Sequence, residues 1–395
     1  MRVSKKRPHI FIVAAEKSGD ELGAKLAQAL RKQSNKKVRL SGIGGNAMRS
    51  VGLNSAVDIT PLSILGFVEG LKAYPTILQR VQQSADVIIA SGADAAILID
   101  SWGFMMRLAK ALKKKGFTGK LIKYVAPQVW AMREGRSKIL AQGFDHLLTI
   151  HSFDAPYFTR HGLETTYVGN PVFDDDYTLG DSQKLRQEFS IEDKTVVGVL
   201  FGSRLSEIQR LAKPFAEAVS IIKQHNPDII FISPVSDTIA EDVYAAGFEH
   251  KALQDIIFLN EDRKLDAFAA MDMSIACSGT VTSQLACAGV PTVVGYRLNG
   301  LTYFIAKHLY KPDYISIVNI AANAPLMPEF VQADCNGENL ATAIQFYLDN
   351  PSERKNASQA LHLTTQQMRQ VNSNNSSDIL HSSEQAARVI IEILA

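Results

Sequence analysis

The sequence predicts an α/β protein of two doubly wound halves, each a parallel sheet wrapped by helices, facing each other across a cleft. Three observations carry this. A strand–loop–helix–strand unit opens the chain between His9 and Ile43. After a polar, turn-prone stretch the same rhythm restarts at Thr195. The run from Met273 to Tyr296 then reads strand, tight loop, helix, strand. Strands alternating with helices call for parallel sheets, with ligand loops beyond the carboxyl ends of the strands.

In order, His9 to Ala15 is a strand of the buried type, and Glu16-Lys17-Ser18-Gly19-Asp20 is a loop. Leu22, Leu26, Ala29 and Leu30 recur at helical spacing. Val38 to Ile43 is a second strand ending in Gly44-Gly45, and Leu62 to Leu71 is an apolar segment carrying one acid. Ala96 to Asp100 is a strand with its acid at the carboxyl end, followed by a helix over Phe104–Lys115 and a strand over Lys120–Val125. Pro127 to Arg133 breaks the pattern, and short strands follow at His146–Ile150 and Thr166–Val168.

Asp174-Asp175-Asp176 and Gly180-Asp181-Ser182 mark a change of character, with a helix over Lys184–Phe189. Thr195–Phe201 is a strand, Gly202-Ser203-Arg204 a loop, and Ser206–His225 a helix. Strands follow at Ile229–Ser233, Ile256–Leu259 and Met273–Ala276. After Ser278-Gly279-Thr280 a helix begins; Gly289 suits its left-handed stop, and Pro291 forbids continuation. A helix near Leu301–Leu309, the loop Tyr314–Asn319, a helix over Glu338–Asp349, a surface connection over Gln366–Ser377 and a last helix over Ser383–Leu394 complete the chain. The expected domains are Rossmann-like, at 1–171 and 195–365, with a linker at 172–194. The helical segment 366–395 is expected to pack back on the first domain or on a partner subunit.

At 395 residues, 46% hydrophobic and 21% charged, the chain can build two ordinary cores. A net charge of +2 implies no nucleic-acid partner. Basic residues cluster at Lys5, Lys6 and Arg7, and at Lys110, Lys113, Lys114, Lys115, Lys120 and Lys123. Such a run is either a solvated face or an attraction to an anionic membrane surface. Cys277, Cys287 and Cys335 have neither metal spacing nor an even framework, which suits a reducing compartment. Ile10–Ala15 is too short for a signal-peptide core, and no apolar run approaches the ~20 residues that span a bilayer. A cytoplasmic protein with at most peripheral membrane contact is expected.

Ser278-Gly279-Thr280, where a strand turns into a helix, offers free backbone N–H groups and the positive end of a helix dipole to an anion such as a diphosphate. It fits neither glycine-rich nucleotide pattern, so an ordinary strand–helix turn is the competing reading.

Several segments together resemble the lipid-A-disaccharide synthases, inverting glycosyltransferases of the two-domain GT-B type. They are Glu16-Lys-Ser18-Gly19-Asp20, Gly42-Ile-Gly44-Gly45, Leu65-Gly66-Phe67-Val-Glu69, Ile99-Asp100 and Pro127-Gln-Val-Trp130-Ala-Met-Arg133 in the first half. In the second half they are Gly202-Ser203-Arg204-x-x-Glu207-Ile208, Ser278-Gly279-Thr280, Pro291 to Arg297, Tyr314-Ile-Ser and Asn319. The resemblance implies a UDP-2,3-diacylglucosamine donor and a 2,3-diacylglucosamine 1-phosphate acceptor. It implies a β-1,6-linked tetraacyl disaccharide 1-phosphate and UDP as products. It also implies work at the cytoplasmic face of the inner membrane, with no cofactor and no catalytic metal. A homodimer is compatible with it.

Under this resemblance Asp100 is the catalytic base; from the residues alone it is equally an N-cap for the following helix. Glu16 and Ser18 join the catalytic site by resemblance, whereas Asp20 is expected to cap the helix it precedes. Gly202, Ser203 and Arg204 form a diphosphate loop, since a guanidinium pairs bidentately with phosphate oxygens, and Glu207 is a candidate cap of the following helix. Ser278, Gly279, Thr280, Gln284 and Asn319 complete the donor site, with a turn role as the alternative for Asn319. Phe67, Glu69, Trp130 and Arg133 are candidate acceptor or lipid contacts, against ordinary packing for the aromatics.

The chain departs from the family in three places. Asp100-Ser101-Trp102-Gly103-Phe104 replaces Asp-x-Pro-Asp-Phe, Asn170 replaces a histidine before Pro171, and Gln284 replaces a glutamate. Two alternatives follow: a UDP-sugar 2-epimerase of the same fold, which needs no acceptor, or a relative with altered specificity or no turnover.

Overall fold

The computed structural model describes residues 7–58, 74–236, 239–300, 303, 309–369 and 381–395. The chain divides into two compact units, Met1–Pro171 with Gln370–Ala395, and Val172–Arg369.

The first unit carries strands β1 (His9–Ala14), β2 (Arg39–Ile43), β3 (Ala95–Ile99), β4 (Lys120–Tyr124), β5 (His146–Thr149) and β6 (Glu164–Tyr167). All pair in parallel, in the order β2-β1-β3-β4-β5-β6. β1 and β3 are buried along their whole length because helices cover both faces of the sheet. On one face Ile10, Ile12 and Ala14 meet Leu26 and Leu30 of α1 (Lys17–Gln33). On the other, Phe11 and Val13 meet Val81 of α3 (Tyr74–Ser91) and Leu108 of α4 (Trp102–Lys114). Between β2 and α3 lies a short α2 (Asn46–Ser50). α5 (Arg136–Gly143) and α6 (Ala155–Thr159) flank β5.

The second unit repeats the plan. α7 (Ser182–Glu188) precedes β7 (Val196–Leu200), α8 (Leu205–His225), β8 (Ile230–Val235), α9 (Ala240–Glu249) and β9 (Ile256–Asn260). Then come α10 (Lys264–Ala270), β10 (Met273–Cys277), α11 (Thr280–Cys287), β11 (Thr292–Tyr296), α12 (Ile317–Ala322) and β12 (Glu329–Val331). α13 (Gly337–Asp349) and α14 (Pro351–Met368) end the unit. The sheet is parallel in the order β12-β11-β10-β7-β8-β9. The last helix, α15 (Ser382–Ile393), belongs to the first unit. It buries Ala386, Ala387 and Ile390 in the same core as α1, and Lys32 donates to Glu384 at 2.8 Å.

The structure departs from the expectations at several elements. The stretch 172–194, expected as a linker, packs into the second unit, where Phe173, Tyr177, Leu185 and Ile191 share a core with Leu200 and Leu285. Arg186 fastens it by donating to the Ala270 carbonyl at 2.7 Å and to Asp272 at 3.1 Å. α2, α3, α5, α6, α9, α10, α12, α14 and β12 were not anticipated, and α12 takes up the end of the loop expected over Tyr314–Asn319. α14 is polar, with only Leu361 and Thr365 buried, so its periodicity is faint. β12 has three residues and owes its form to pairing with β11. The anticipated segment Leu62–Leu71 lies outside the described residues, as does the anticipated helix near Leu301–Leu309 apart from its positions 303 and 309. Of the surface connection expected over Gln366–Ser377, positions 366–368 continue α14 and 370–377 lie outside the described residues.

Candidate functional site

Each sheet reverses its winding at one place, and the candidate residues follow the strands that flank it. In the first unit the chain runs outward from β1 to β2, then returns to lay β3 on the other side of β1. In the second it runs from β7 to β8 and β9, then returns to lay β10 beside β7. Strand ends at such switch points leave a crevice that connecting helices do not fill. Glu16 and Ser18 follow β1, and Asp100 follows β3. Gly202, Ser203 and Arg204 follow β7, and Ser278, Gly279 and Thr280 follow β10.

In the first unit Glu16 is the N-cap residue of α1, yet its side chain makes no capping bond, and both Glu16 and Ser18 are exposed. Asp20 has a different task from the expected one. It lies inside α1 and caps α2, accepting from the N–H groups of Gly45 at 2.7 Å, Ala47 at 2.8 Å and Met48 at 3.1 Å. This explains Gly45: a Cβ there would lie 2.8 Å from an Asp20 oxygen. The Asp20 and double-glycine segments therefore brace β2 and α2.

Asp100 is half-buried, and its N–H continues the ladder by donating to the Tyr124 carbonyl at 2.9 Å. The backbone then turns left-handed, with φ of 48° at Asp100 and 39° at Ser101. Ser101, not Asp100, occupies the N-cap position of α4, and its side chain makes no capping bond. The Asp100 carboxylate makes no hydrogen bond among the described residues, which leaves it free to accept a proton.

Beside it lies Lys123, expected on a basic face open to solvent or to an anionic membrane surface; it is instead 1% exposed. Its ammonium donates to the carbonyls of Asp100 at 2.8 Å and Tyr124 at 3.0 Å. Burial lowers its pKa to about 7, opposed by the carboxylates of Asp100 and then Glu16. The sequence did hold a signal: a cation inside the apolar strand Leu121-Ile122-Lys123-Tyr124.

Trp130, a candidate lipid contact, is instead interior at 5% exposure. It meets Phe153 and His151 edge-on, at centroid distances of 5.2 Å and 6.0 Å. Arg133 is exposed, with φ of 60°. Phe67 and Glu69 lie outside the described residues.

In the second unit the loop after β7 is built around Glu207. Its Oε2 accepts from the N–H groups of Ser203 at 2.9 Å and Arg204 at 3.2 Å, and its Oε1 pairs with the Arg204 guanidinium at 3.0 Å. Gly202 has φ of 101°, and a Cβ there would collide with the Glu207 carboxylate. The N–H groups of Ser203 and Arg204 are thus already engaged. What remains for an anion is the Arg204 guanidinium, 75% exposed, with donors to spare.

The loop after β10 adjoins this one, since a Cβ at Gly202 would stand 3.1 Å from Cys277 Sγ. Gly279 is the N-cap residue of α11, and among the described residues nothing lies within 4 Å of where its Cβ would point. Gly279 and Thr280 are exposed. Gln284 stands one turn further along and donates from Nε2 to the Tyr177 hydroxyl at 3.4 Å. Burial pushes the Tyr177 hydroxyl up to about 12.

Asn319, placed in direct donor contact by the resemblance, is fully buried, and both of its amide N–H groups are engaged. It donates to the Met327 carbonyl at 2.7 Å and Glu329 Oε1 at 2.9 Å, and accepts from the Met327 N–H at 3.0 Å. Glu329 also accepts from the N–H groups of Ile315 at 2.7 Å and Ser316 at 2.9 Å, and from Ser316 Oγ at 2.6 Å. Asn319 and Glu329 shape the 314–316 loop from behind. Ser278 Oγ reaches the Ile315 carbonyl at 3.5 Å, linking that loop to the one after β10.

The family model described as lipid-A-disaccharide synthetase matches residues 10–383. The chain belongs to the lipid-A-disaccharide synthase family. Members of this family are glycosyltransferases. The lipid-A-disaccharide synthase of Rhodospirillum centenum is 37% identical over 347 residues, which cover 88% of this chain and 86% of that one. The synthase of Paramagnetospirillum magneticum is 38% identical over 348 residues, covering 87% and 89%. Among solved structures, UDP-GlcNAc 2-epimerase from Neisseria meningitidis aligns with a TM-score of 0.62 at 10% identity, over 98% of this chain and 99% of that one. A glycosyltransferase from Rickettsia africae aligns with a TM-score of 0.57 at 11% identity, over 98% and 97%. At such identities these likenesses bear on fold alone: two Rossmann-like domains of the GT-B kind. No helix among the described residues is long and apolar enough to cross a membrane.

Proposed function

We propose that this chain transfers 2,3-diacylglucosamine from UDP-2,3-diacylglucosamine to the 6-hydroxyl of 2,3-diacylglucosamine 1-phosphate. The products are the β-1,6-linked tetraacyl disaccharide 1-phosphate and UDP. The observation that carries this is the family match running from residue 10 to 383, through both units.

Asp100 takes the proton of the attacking hydroxyl as the new O–C1 bond forms and the bond from C1 to the diphosphate oxygen breaks. Its free carboxylate, at a switch point beside exposed Glu16 and Ser18, supports that role. The Arg204 guanidinium meets the charge that builds on the departing diphosphate, aided by the N–H groups that open α11 at Thr280. Gln284 faces the donor ribose, while Asn319 acts indirectly by holding the 314–316 loop. Work takes place peripherally at the cytoplasmic face of the inner membrane, where both lipid substrates reside.

The purified chain, given both substrates in detergent micelles, should release UDP together with a disaccharide. UDP release or donor epimerisation without acceptor would favour the epimerase reading, and UDP binding without turnover a non-catalytic relative.

Gln284→Glu tests the departure in the donor loop. A carboxylate accepts from two ribose hydroxyls, whereas the amide NH2 only donates. The donor KM should fall about three- to tenfold with kcat unchanged, the scale of one ordinary net hydrogen bond. An unchanged KM would make the departure neutral.

A further inference from the structure

We propose that Lys123 is a positioning residue for the transfer step: its buried ammonium ties the carbonyls of Asp100 and Tyr124 together and so holds the Asp100 carboxylate where it accepts the proton. This rests on the reading of Asp100 as base.

The argument begins with the backbone. Ile99 and Tyr124 are register partners on neighbouring strands. Just past them the chain is left-handed at three non-glycine positions, with φ of 48° at Asp100, 39° at Ser101 and 71° at Val125. Val125 is β-branched, and that region strongly disfavours such residues. Conformations of this kind persist only where the surroundings over-determine them, and they gather where a side chain must be aimed. Here the over-determining group is the Lys123 ammonium. It binds the carbonyl of Asp100, the residue after β3, and that of Tyr124, the last residue of β4. The Tyr124 carbonyl also receives the Asp100 N–H, so the three groups form one bridge.

A fold that needed only stability would put an apolar side chain at 123. Leu121, Ile122 and Tyr124 are apolar and buried, and a lone buried ammonium is costly. Its retention between two carbonyls and near two carboxylates, at the mouth of the switch point, fits a charge kept for geometry at the reacting centre. Lys123 is itself sealed from solvent, so it acts through Asp100 and does not touch substrate.

The test uses Lys123→Met in the full-length protein, with kcat and both KM values measured alongside UDP affinity and the unfolding midpoint. A carboxylate displaced by about 1 Å costs on the order of a hundredfold in rate. The expected result is a kcat lowered ten- to hundredfold, in about that range, with both KM values and UDP affinity preserved. In an Asp100→Asn background, Lys123→Met should lower the residual rate no further, because there is no carboxylate left to position. Lys123→Gln, which keeps an N–H donor without the charge, should recover part of the rate.

A kcat unchanged in Lys123→Met, or a loss that adds fully to that of Asp100→Asn, overturns the proposal. So does loss of UDP binding and folding in both the Met and Gln variants, which would make the residue purely structural. If Asp100→Asn itself keeps its rate, the base assignment falls. If Asp100→Asn is inactive and Lys123→Met is not, only the role of Lys123 falls.

Discussion

Asp100→Asn should lower the rate of disaccharide formation about a thousandfold, in the middle of the range for a lost general base. Asparagine is the informative replacement. It tolerates the left-handed backbone as aspartate does, so the φ of 48° at this position costs it little. It also keeps the main-chain bonds to Tyr124 and Lys123, which involve the Asp100 N–H and carbonyl, not the carboxylate. Only the capacity to take a proton is lost. UDP binding, proposed here for the loops after β7 and β10, should match that of the wild type. Calorimetry with UDP and single-turnover kinetics separate the two quantities. A variant that keeps a tenth or more of the rate, on the order-of-magnitude scale used for such effects, would remove Asp100 as the base.

Asp154→Asn should stabilise the protein at alkaline pH and leave it unchanged in acid. Asp154 is 1% exposed, and neither carboxylate oxygen has a hydrogen-bond partner among the described residues. Burial raises its pKa from 3.8 to about 7; the His151 backbone and the Trp130 indole temper this without completing a hydrogen bond. Below pH 4 the folded and unfolded chains both carry the neutral acid, and nothing is lost. Between 4 and 7 the unfolded chain ionises while the folded one stays protonated, so stability declines as pH rises through that window. Above 7 the penalty is complete, on the order of 4 kcal/mol for a shift of this size. An amide has no such titration. Urea unfolding at pH 5 and pH 8 should show the gap between variant and wild type widening with pH, and parallel profiles would refute the assignment. His151, stacked on Phe153 in the same pocket, works in the opposite sense. Burial lowers its pKa to about 4, so its penalty appears as pH falls from about 6.5. The two effects overlap only between about 4 and 7, which makes pH 8 the clean place to measure Asp154.

The strands and the loops that follow them were legible because both are local. Buried parallel strands are continuous apolar runs, and a glycine, serine or acid at their carboxyl ends announces the turn. Glu16, Asp100, Arg204 and Ser278–Thr280 all follow strands for this reason. Glu207 was legible as a helix cap for the same reason, being three residues past the N-cap position. Residues whose meaning depends on distant partners were not legible. Nothing near Asp20 says that it will cap a helix beginning at Asn46, and nothing near Asn319 says that Glu329 will use its amide. For Trp130 the proline-broken loop left lipid contact and ordinary packing both open, because the partners that bury it lie at His151 and Phe153.

By itself the sequence determined the repeating strand–helix rhythm, the family motifs and thus the chemistry to expect, since these reside in composition and spacing along the chain. Tertiary structure alone decided which polar groups are spent inside the fold and which are left free. Asp20, Asn319 and Glu207 are consumed by backbone and side-chain partners, Lys123 is sealed behind the strand ends, and the Asp100 carboxylate and Arg204 guanidinium keep capacity for a ligand. The physical reason is that a hydrogen bond or a desolvation penalty depends on what packs against a group, and in these sheets the packing neighbours come from remote parts of the chain.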